Sequence, residues 1–256
     1  MPLFSIITIC FNSEAVIRKT VRSVIEQENF TDFEYIVIDG SSTDNTKLII
    51  EEYHEGITHF ITEKDNGIYD ALNKALMLAS GEYILLVHSD DCLSNSDSLL
   101  ELSKLLTLSG EPDVLLTAVR YQNYNILGIR KEFILDPTYF KTWMLSYGFM
   151  PPHPGMVIKN AIFQKIGFFK TSFRIAGDFD FCVRLFSEKN LKLAKSSTFF
   201  INMNGGGTSN SGASSALIAT KEISAILRNS SNRIAYFGII RIPVKAFIRL
   251  FFKKGL

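Results

Sequence analysis

Apolar positions in the first third of the chain form short continuous runs, and between the runs they recur at helical spacing. Phe4–Phe11 is apolar and β-branched, the pattern of a strand buried on both faces of a parallel sheet. Asn12 and Ser13 follow, residue types that cap helices. Val16, Ile17, Thr20, Val21, Val24 and Ile25 then mark one helical face. The alternation repeats. Phe33–Ile38 predicts a second buried strand, and the polar loop Asp39–Thr46 opens a helix over Lys47–Tyr53. Ile57–Thr62 predicts a shorter strand. Ile68–Ala79 predicts a helix with Leu72, Ala75, Leu76 and Ala79 on one face, and Tyr83–Val87 a further strand. Strands alternating with helices in this way predict a parallel sheet with right-handed crossovers.

Beyond residue 92 the pattern changes. A helix is expected over Ser98–Leu108, then strands over Val114–Tyr121 and near Ile126–Phe133, and an irregular aromatic stretch over Tyr139–Phe149. Pro151–Gly155 is a hard turn before Met156–Lys159. Helices are expected over Asn160–Ile166 and over Asp178–Lys189, the latter with Phe181, Cys182, Leu185 and Phe186 inward. Gly205–Gly212 has the composition of a mobile loop or linker. The expected division is a domain over 1–212, with a nucleotide-binding half at 1–110 and an acceptor half at 111–212, followed by a basic helical tail at 213–256.

Length and charge sharpen that division. The chain has 256 residues, 46% hydrophobic and 21% charged, a globular balance for one large domain with or without an appendage. Glu222 is the last acidic residue. Residues 1–222 carry 20 basic and 26 acidic groups, a net charge of −6, and the remainder carries +7. The body is therefore unsuited to nucleic acid, and the tail seeks an anionic partner. In the tail Arg241, Lys245, Arg249 and Lys253 recur every four residues among Ile240, Val244, Phe247, Ile248, Phe251 and Phe252. Such a helix either lies on an anionic membrane surface through residues 233–256 or packs on the domain with its basic face in water. Cys10, Cys92 and Cys182 are odd in number and scattered, as reduced thiols of a cytosolic protein are. The N-terminus lacks the basic leader and cleavage site of a signal peptide. No uncharged apolar stretch reaches the roughly 18 residues a bilayer span needs.

Candidate chemistry sits where strands end. Asp90 and Asp91 close the strand Tyr83–Val87, and open α/β sheets bind ligands beyond the carboxyl ends of their strands. Adjacent carboxylates there either cap the following segment or share a divalent cation with the phosphates of a nucleotide. Asp39, at the end of its own strand, either caps a helix or accepts hydrogen bonds from a base or ribose. Neither Gly-x-Gly-x-x-Gly nor Gly-x-x-x-x-Gly-Lys-Ser/Thr occurs, so those phosphate cradles are excluded. Asp178 either stabilises a helix N-terminus through the dipole or serves as a general base. His153, in its Pro-rich turn, is a packed residue first and a catalytic candidate second. The aromatic group Tyr139, Phe140, Trp143, Tyr147 and Phe149 reads as core or interface before it reads as a sugar-stacking face.

Five segments stand in one order: Phe4–Asn12, Val37–Thr46, Glu63–Lys74, Gly81–Asp91 and Ala176–Asp180. Together they resemble family 2 glycosyltransferases, in particular the short bacterial members that assemble exopolysaccharide, colanic acid or lipopolysaccharide. The resemblance is dense over residues 4–92 and patchier to about residue 212. It implies an α/β protein of the GT-A fold and an inverting transferase that uses a nucleotide-diphospho-sugar donor. The acceptor it implies is a glycan or lipid-linked molecule, and the location is the cytoplasm, peripheral on the inner face of the cell membrane. By the same resemblance Thr8, Asn12, Asp39, Asp65, Asn73 and Asp90 line the nucleotide-sugar pocket. Asp90 and Asp91 hold Mg²⁺ or Mn²⁺, Asp178 is the catalytic base, and the Gly205–Gly212 loop is a lid. The chain departs from the family pattern at His88, where an additional aspartate is common, and at Gly177, where glutamate is common. A sugar-phosphate nucleotidyltransferase and a non-catalytic membrane-associated scaffold of the same fold are the alternatives.

Overall fold

The first strand, β1 (Phe4–Cys10), is buried along its whole length. Its side chains alternate between two apolar layers: Ile7 and Ile9 enter one core cluster, and Phe4, Ile6 and Cys10 the other. The computed structural model describes residues 1–124, 130–204, 213–229 and 253–255. The strands are β1, β2 (Phe33–Asp39), β3 (His59–Thr62), β4 (Tyr83–Leu86), β5 (Cys92–Leu93), β6 (Val114–Tyr124), β7 (Arg130–Leu135), β8 (Met156–Lys159), β9 (Leu193–Asn204) and β10 (Lys253–Gly255). The helices are α1 (Ile17–Ile25), α2 (Thr46–Glu51), α3 (Ile68–Leu78), α4 (Ser98–Leu108), α5 (Asn160–Ile166), α6 (Gly177–Phe186) and α7 (Ala213–Asn229).

The main sheet runs β10-β7-β6-β8-β4-β1-β2-β3. Pairing among β4, β1, β2 and β3 is parallel, as the alternating pattern predicts. It turns antiparallel where β8 meets β4 and β6. The sheet is therefore mixed: the first 86 residues build one parallel part, and β9 adds a second parallel pairing, on β6. Helices α1 and α4 cover one face through Ile17, Val21, Val24, Leu99, Leu102 and Leu106. Helices α3, α5, α6 and α7 cover the other through residues such as Leu72, Ile162, Phe181 and Ile223.

Several elements differ from the sequence pattern for physical reasons. Asn12 and Ser13 do not cap α1, which starts at Ile17. Asn12 adopts a left-handed φ of 48° and accepts the Thr43 N–H, while the Ser13 N–H donates to Thr46 Oγ1 at 2.7 Å. Both residues tie β1 to the loop after β2. Strand β9 is not expected from the pattern: its polar centre, Lys195–Thr198, hides the alternation, and its register with β6 shifts near Ala118. The boundary expected after residue 212 does not detach α7 from the body, because Ile223, Ile226 and Leu227 are buried in the main core cluster. The helix expected through Lys253 is also corrected. Lys253–Gly255 is a strand antiparallel to β7, where it satisfies backbone groups that an edge strand leaves open. The Gly205–Gly212 loop, residues 230–252 and Leu256 lie outside the described residues, as do residues 125–129. Among the described residues no helix is long and apolar enough to cross a membrane.

Candidate active site

The chain leaves β1 towards β2 and β3, then returns on the other side of β1 as β4. That reversal opens a crevice beyond the carboxyl ends of β1 and β4. Phe11–Ser13 and His88–Asp91 fall there, on the wall of a cavity of ≈ 1250 Å³. The His88–Asp91 loop is held from several sides. The Asp91 N–H donates to the His88 carbonyl at 2.9 Å. Thr20 of α1 donates to the carbonyls of Ser89 and Asp91, both at 2.7 Å. Asn204, at the end of β9, donates its side-chain N–H to the Asp90 carbonyl and its backbone N–H to Asp91 Oδ1 at 3.2 Å.

This scaffold fixes two carboxylates without neutralising them. Among the described residues no lysine or arginine forms an ion pair with Asp90 or Asp91. Asp91 is 2% exposed, and burial followed by repulsion from Asp90 pushes its carboxyl well above the usual range. Burial raises Asp90 as well. His88 adds no positive charge at neutral pH, because burial, and then His153, lower it to about 4. Among the described residues no three acidic, His or Cys side chains are arranged to enclose a metal. The donor set fits a hard divalent cation that completes its shell with substrate oxygens: two carboxylates, excess negative charge and an open cavity side.

Asp178 reaches the same cavity from α6. Its Oδ1 accepts the Phe179 N–H at 2.7 Å and the Tyr69 hydroxyl at 3.3 Å. Burial dominates its electrostatics and raises its carboxyl to about 6, against the lowering effect of those hydrogen bonds. A carboxylate of that basicity is matched to accepting a proton near neutral pH. Gly177, beside it, carries no side chain for a steric reason: a Cβ there would lie 2.7–2.9 Å from three carbons of the Tyr69 ring.

Of the residues expected at the site, Asn12, Asp65, Asp90, Asp91 and Asp178 share the cavity wall. Asp65 there is ion-paired to Lys74 at 2.7 Å. Thr8, Asp39 and Asn73 lie behind the wall. Thr8 is fully buried, donating to the Val87 carbonyl at 2.7 Å and accepting from Tyr35. Asp39 is fully buried too, and it accepts from the backbone and hydroxyl of Ser42 and from Thr62. Asn73 bonds the backbone of Phe169 in both directions, at 2.8 and 3.0 Å. None of these three residues lines the cavity.

His153 is buried, its ring edge-on to Phe169 at 5.6 Å and 6.2 Å from the ring of His88. The aromatic stretch divides. Phe140 and Phe149 line the cavity with Met144, Met150 and Pro152, whereas Tyr139 and Trp143 are exposed. Lys64 and Arg174 line the same cavity. Sequence reasoning misses both cations, although each stands close to an expected site residue, Lys64 before Asp65 and Arg174 four positions before Asp178. It also misses Tyr69, which is not among the residues that mark the apolar face of Ile68–Ala79.

Residues 5–175 match glycosyl transferase family 2. A PGL/p-HBAD biosynthesis glycosyltransferase of Mycobacterium bovis is 29% identical over 195 residues, covering 74% of this chain and 72% of that protein. Among solved structures, S. aureus TarS 1-349 in complex with UDP-GlcNAc superposes with a TM-score of 0.67 at 22% identity, covering 92% of this chain and 69% of that one. The mannosyltransferase PcManGT from Pyrobaculum calidifontis, in complex with GDP-Man and Mn²⁺, gives a TM-score of 0.57 at 15% identity, over 97% and 79% of the two chains. These likenesses identify the fold as that of GT-A glycosyltransferases.

Proposed function

The chain belongs to glycosyl transferase family 2, and from that premise we propose that it is an inverting transferase acting on a nucleotide-diphospho-sugar donor. The acceptor is a glycan or lipid-linked molecule of bacterial surface polysaccharide assembly. The observation that carries this reading is that one cavity is lined both by an uncompensated carboxylate pair, Asp90 and Asp91, and by a separate carboxylate of raised basicity, Asp178. Solved neighbours that hold UDP-GlcNAc, or GDP-Man with Mn²⁺, support the donor class.

Asp90 and Asp91 would hold Mg²⁺ or Mn²⁺, which when bound supplies charge neutralisation for the departing diphosphate. Lys64 and Arg174, on the same cavity, add positive charge from the protein itself. Asn12 and Asp65 contribute to the nucleotide end, while Thr8, Asp39 and Asn73 brace it. Asp178 accepts the proton of the acceptor hydroxyl as its oxygen bonds to the anomeric carbon. The bond from that carbon to the diphosphate oxygen breaks, and the diphosphate leaves with the electron pair. A single displacement from the opposite face inverts the anomeric centre. The basic residues of the 233–256 segment suit an anionic membrane surface, which supports a peripheral location on the cytoplasmic face.

Asp178→Asn tests the reading. Transfer falls by about 10²–10⁴-fold, the usual contribution of a general base, and nucleotide diphosphate binding by calorimetry stays within about twofold. In the wild type the rate falls on the acid side as pH drops through about 6, where Asp178 takes up its proton. Wild-type turnover by Asp178→Asn refutes the assignment.

A further inference from the structure

We infer that Tyr69 and Glu222 are positioning residues that together aim Asp178 into the cavity, each gripping the short segment that precedes it. The inference deepens the assignment of Asp178 as base and rests on it.

Residues Arg174–Ala176 connect the body to α6 without regular structure. Their backbone groups are nonetheless bonded by side chains from distant parts of the chain. Glu222, on α7, accepts three successive N–H groups, those of Arg174 at 2.8 Å, Ile175 at 3.0 Å and Ala176 at 2.8 Å. Charge-assisted bonds of this kind are roughly twice as strong as neutral ones. The Tyr69 hydroxyl, from α3, donates to the Ile175 carbonyl at 2.6 Å. The same hydroxyl lies 3.3 Å from Asp178 Oδ1. One carboxylate grips the amides, one phenol grips the carbonyl, and the residue so fixed leads directly to the base.

The side chain of Asp178 is oriented by the same arrangement. Its Oδ1 accepts the Phe179 N–H and, at the longer distance, shares the single Tyr69 hydroxyl proton with the Ile175 carbonyl. The contacts from Tyr69 and Phe179 both fall on Oδ1, which leaves Oδ2 as the oxygen to meet an acceptor hydroxyl. Tyr69 is itself immobilised. It is 4% exposed, its ring stacks on that of Phe169 at 5.8 Å, and it occupies the space that a Cβ at residue 177 would need. Asn73, one helical turn along α3, clamps the backbone of that same Phe169. Helix α3 begins at the cavity, where Gly67, Ile68 and Tyr69 line the wall. It is thus a strut from the donor side of the site to the base.

The ionisable groups facing Asp178 from neighbouring elements are Tyr69 on α3, Glu222 on α7 and Cys182 one turn along α6. Their effects differ in sign. The Tyr69 hydrogen bond favours the carboxylate, whereas the Glu222 charge opposes it. A pure packing role would move neither.

The test is a ¹³C-aspartate NMR titration of the carboxyl of Asp178, assigned by its loss in Asp178→Asn. It needs no substrate. Tyr69→Phe moves the midpoint of Asp178 upward, and Glu222→Gln moves it downward. In donor hydrolysis, followed as UDP release from UDP-GlcNAc and GDP release from GDP-mannose with Mn²⁺, each variant lowers kcat by about tenfold with KM for donor unchanged. Near-UV circular dichroism confirms that each variant is folded, and the two variants fail independently if one does not fold. Folded Tyr69→Phe and Glu222→Gln proteins with the wild-type midpoint and wild-type kcat overturn the clamp. Full turnover by Asp178→Asn instead overturns the base assignment on which it rests.

Discussion

Carboxylates at the two ends of the parallel sheet are treated in opposite ways: Glu34, near the start of β2, and the pair Asp90 and Asp91, beyond the end of β4. At the amino ends, Glu34 is 7% exposed and fully served. It accepts from Ser5 Oγ at 2.6 Å, from the Ser80 N–H at 2.6 Å, from Ser80 Oγ at 3.1 Å and from the Gly81 N–H at 3.1 Å. Burial alone would raise this carboxyl, but the hydrogen bonds outweigh it and hold the group below its ordinary value. The site stitches β1, β2 and β4 together where they begin. It is packed so closely that a Cβ on Gly81 would lie 2.6 Å from the Ser5 nitrogen. At the carboxyl ends, Asp90 and Asp91 receive little and are raised. Asp39, at the carboxyl end of β2, is served as Glu34 is, so the contrast belongs to the acidic pair after β4, which is held ready for something cationic.

Substitutions at the two sites should change stability with opposite signs. The larger stability effect is expected at Glu34. Replacing it with alanine leaves buried donors unpaired, and urea denaturation should show a loss of about 2–3 kcal/mol at neutral pH. Because the folded value of Glu34 is depressed, its contribution is present above the unfolded pKa and fades as pH falls through the folded one. The penalty should therefore shrink in acid. A variant as stable as wild type at pH 7 would mean that the amino-end network is idle.

The opposite sign is expected at Asp91. Asparagine retains an acceptor for the Asn204 N–H and removes a buried, repelled charge, so Asp91→Asn should gain about 1 kcal/mol at neutral pH. For a raised carboxyl, stability falls as pH rises through the interval above the unfolded pKa, so the gain should vanish in acid. Destabilisation by Asp91→Asn at neutral pH would place Asp91 with Glu34 as a structural group.

Legibility in the sequence depends on the range of each interaction. The run Tyr83–Val87 and the acidic pair after it are local, so both the strand and its placement at a strand end can be read directly. The same holds for Ser98–Leu108 and Met156–Ile166. Asp178 is legible through its motif, but its partners are not: Tyr69 stands 109 residues away and Glu222 lies 46–48 residues beyond the amides it holds. Thr8, Asp39 and Asn73 are assigned to the pocket by the motifs that contain them. A motif does not distinguish a side chain on the wall from one that braces the wall. Strand β9 escapes because four polar or charged residues interrupt it, yet its end supplies Asn204, which anchors both Asp90 and Asp91.

The reading of the carboxyl end as a cation and diphosphate site is tested most directly by thermal denaturation with UDP or GDP, with and without Mn²⁺. A ligand at 100 times its Kd stabilises the native state by about 2.7 kcal/mol. Wild type should therefore melt higher with one diphosphate and Mn²⁺ together than with either alone, and Asp91→Asn should lose that increment while starting from the higher baseline. An unchanged wild-type melting temperature with both nucleotides and Mn²⁺, or an Asp91→Asn protein stabilised as much as wild type, contradicts the account.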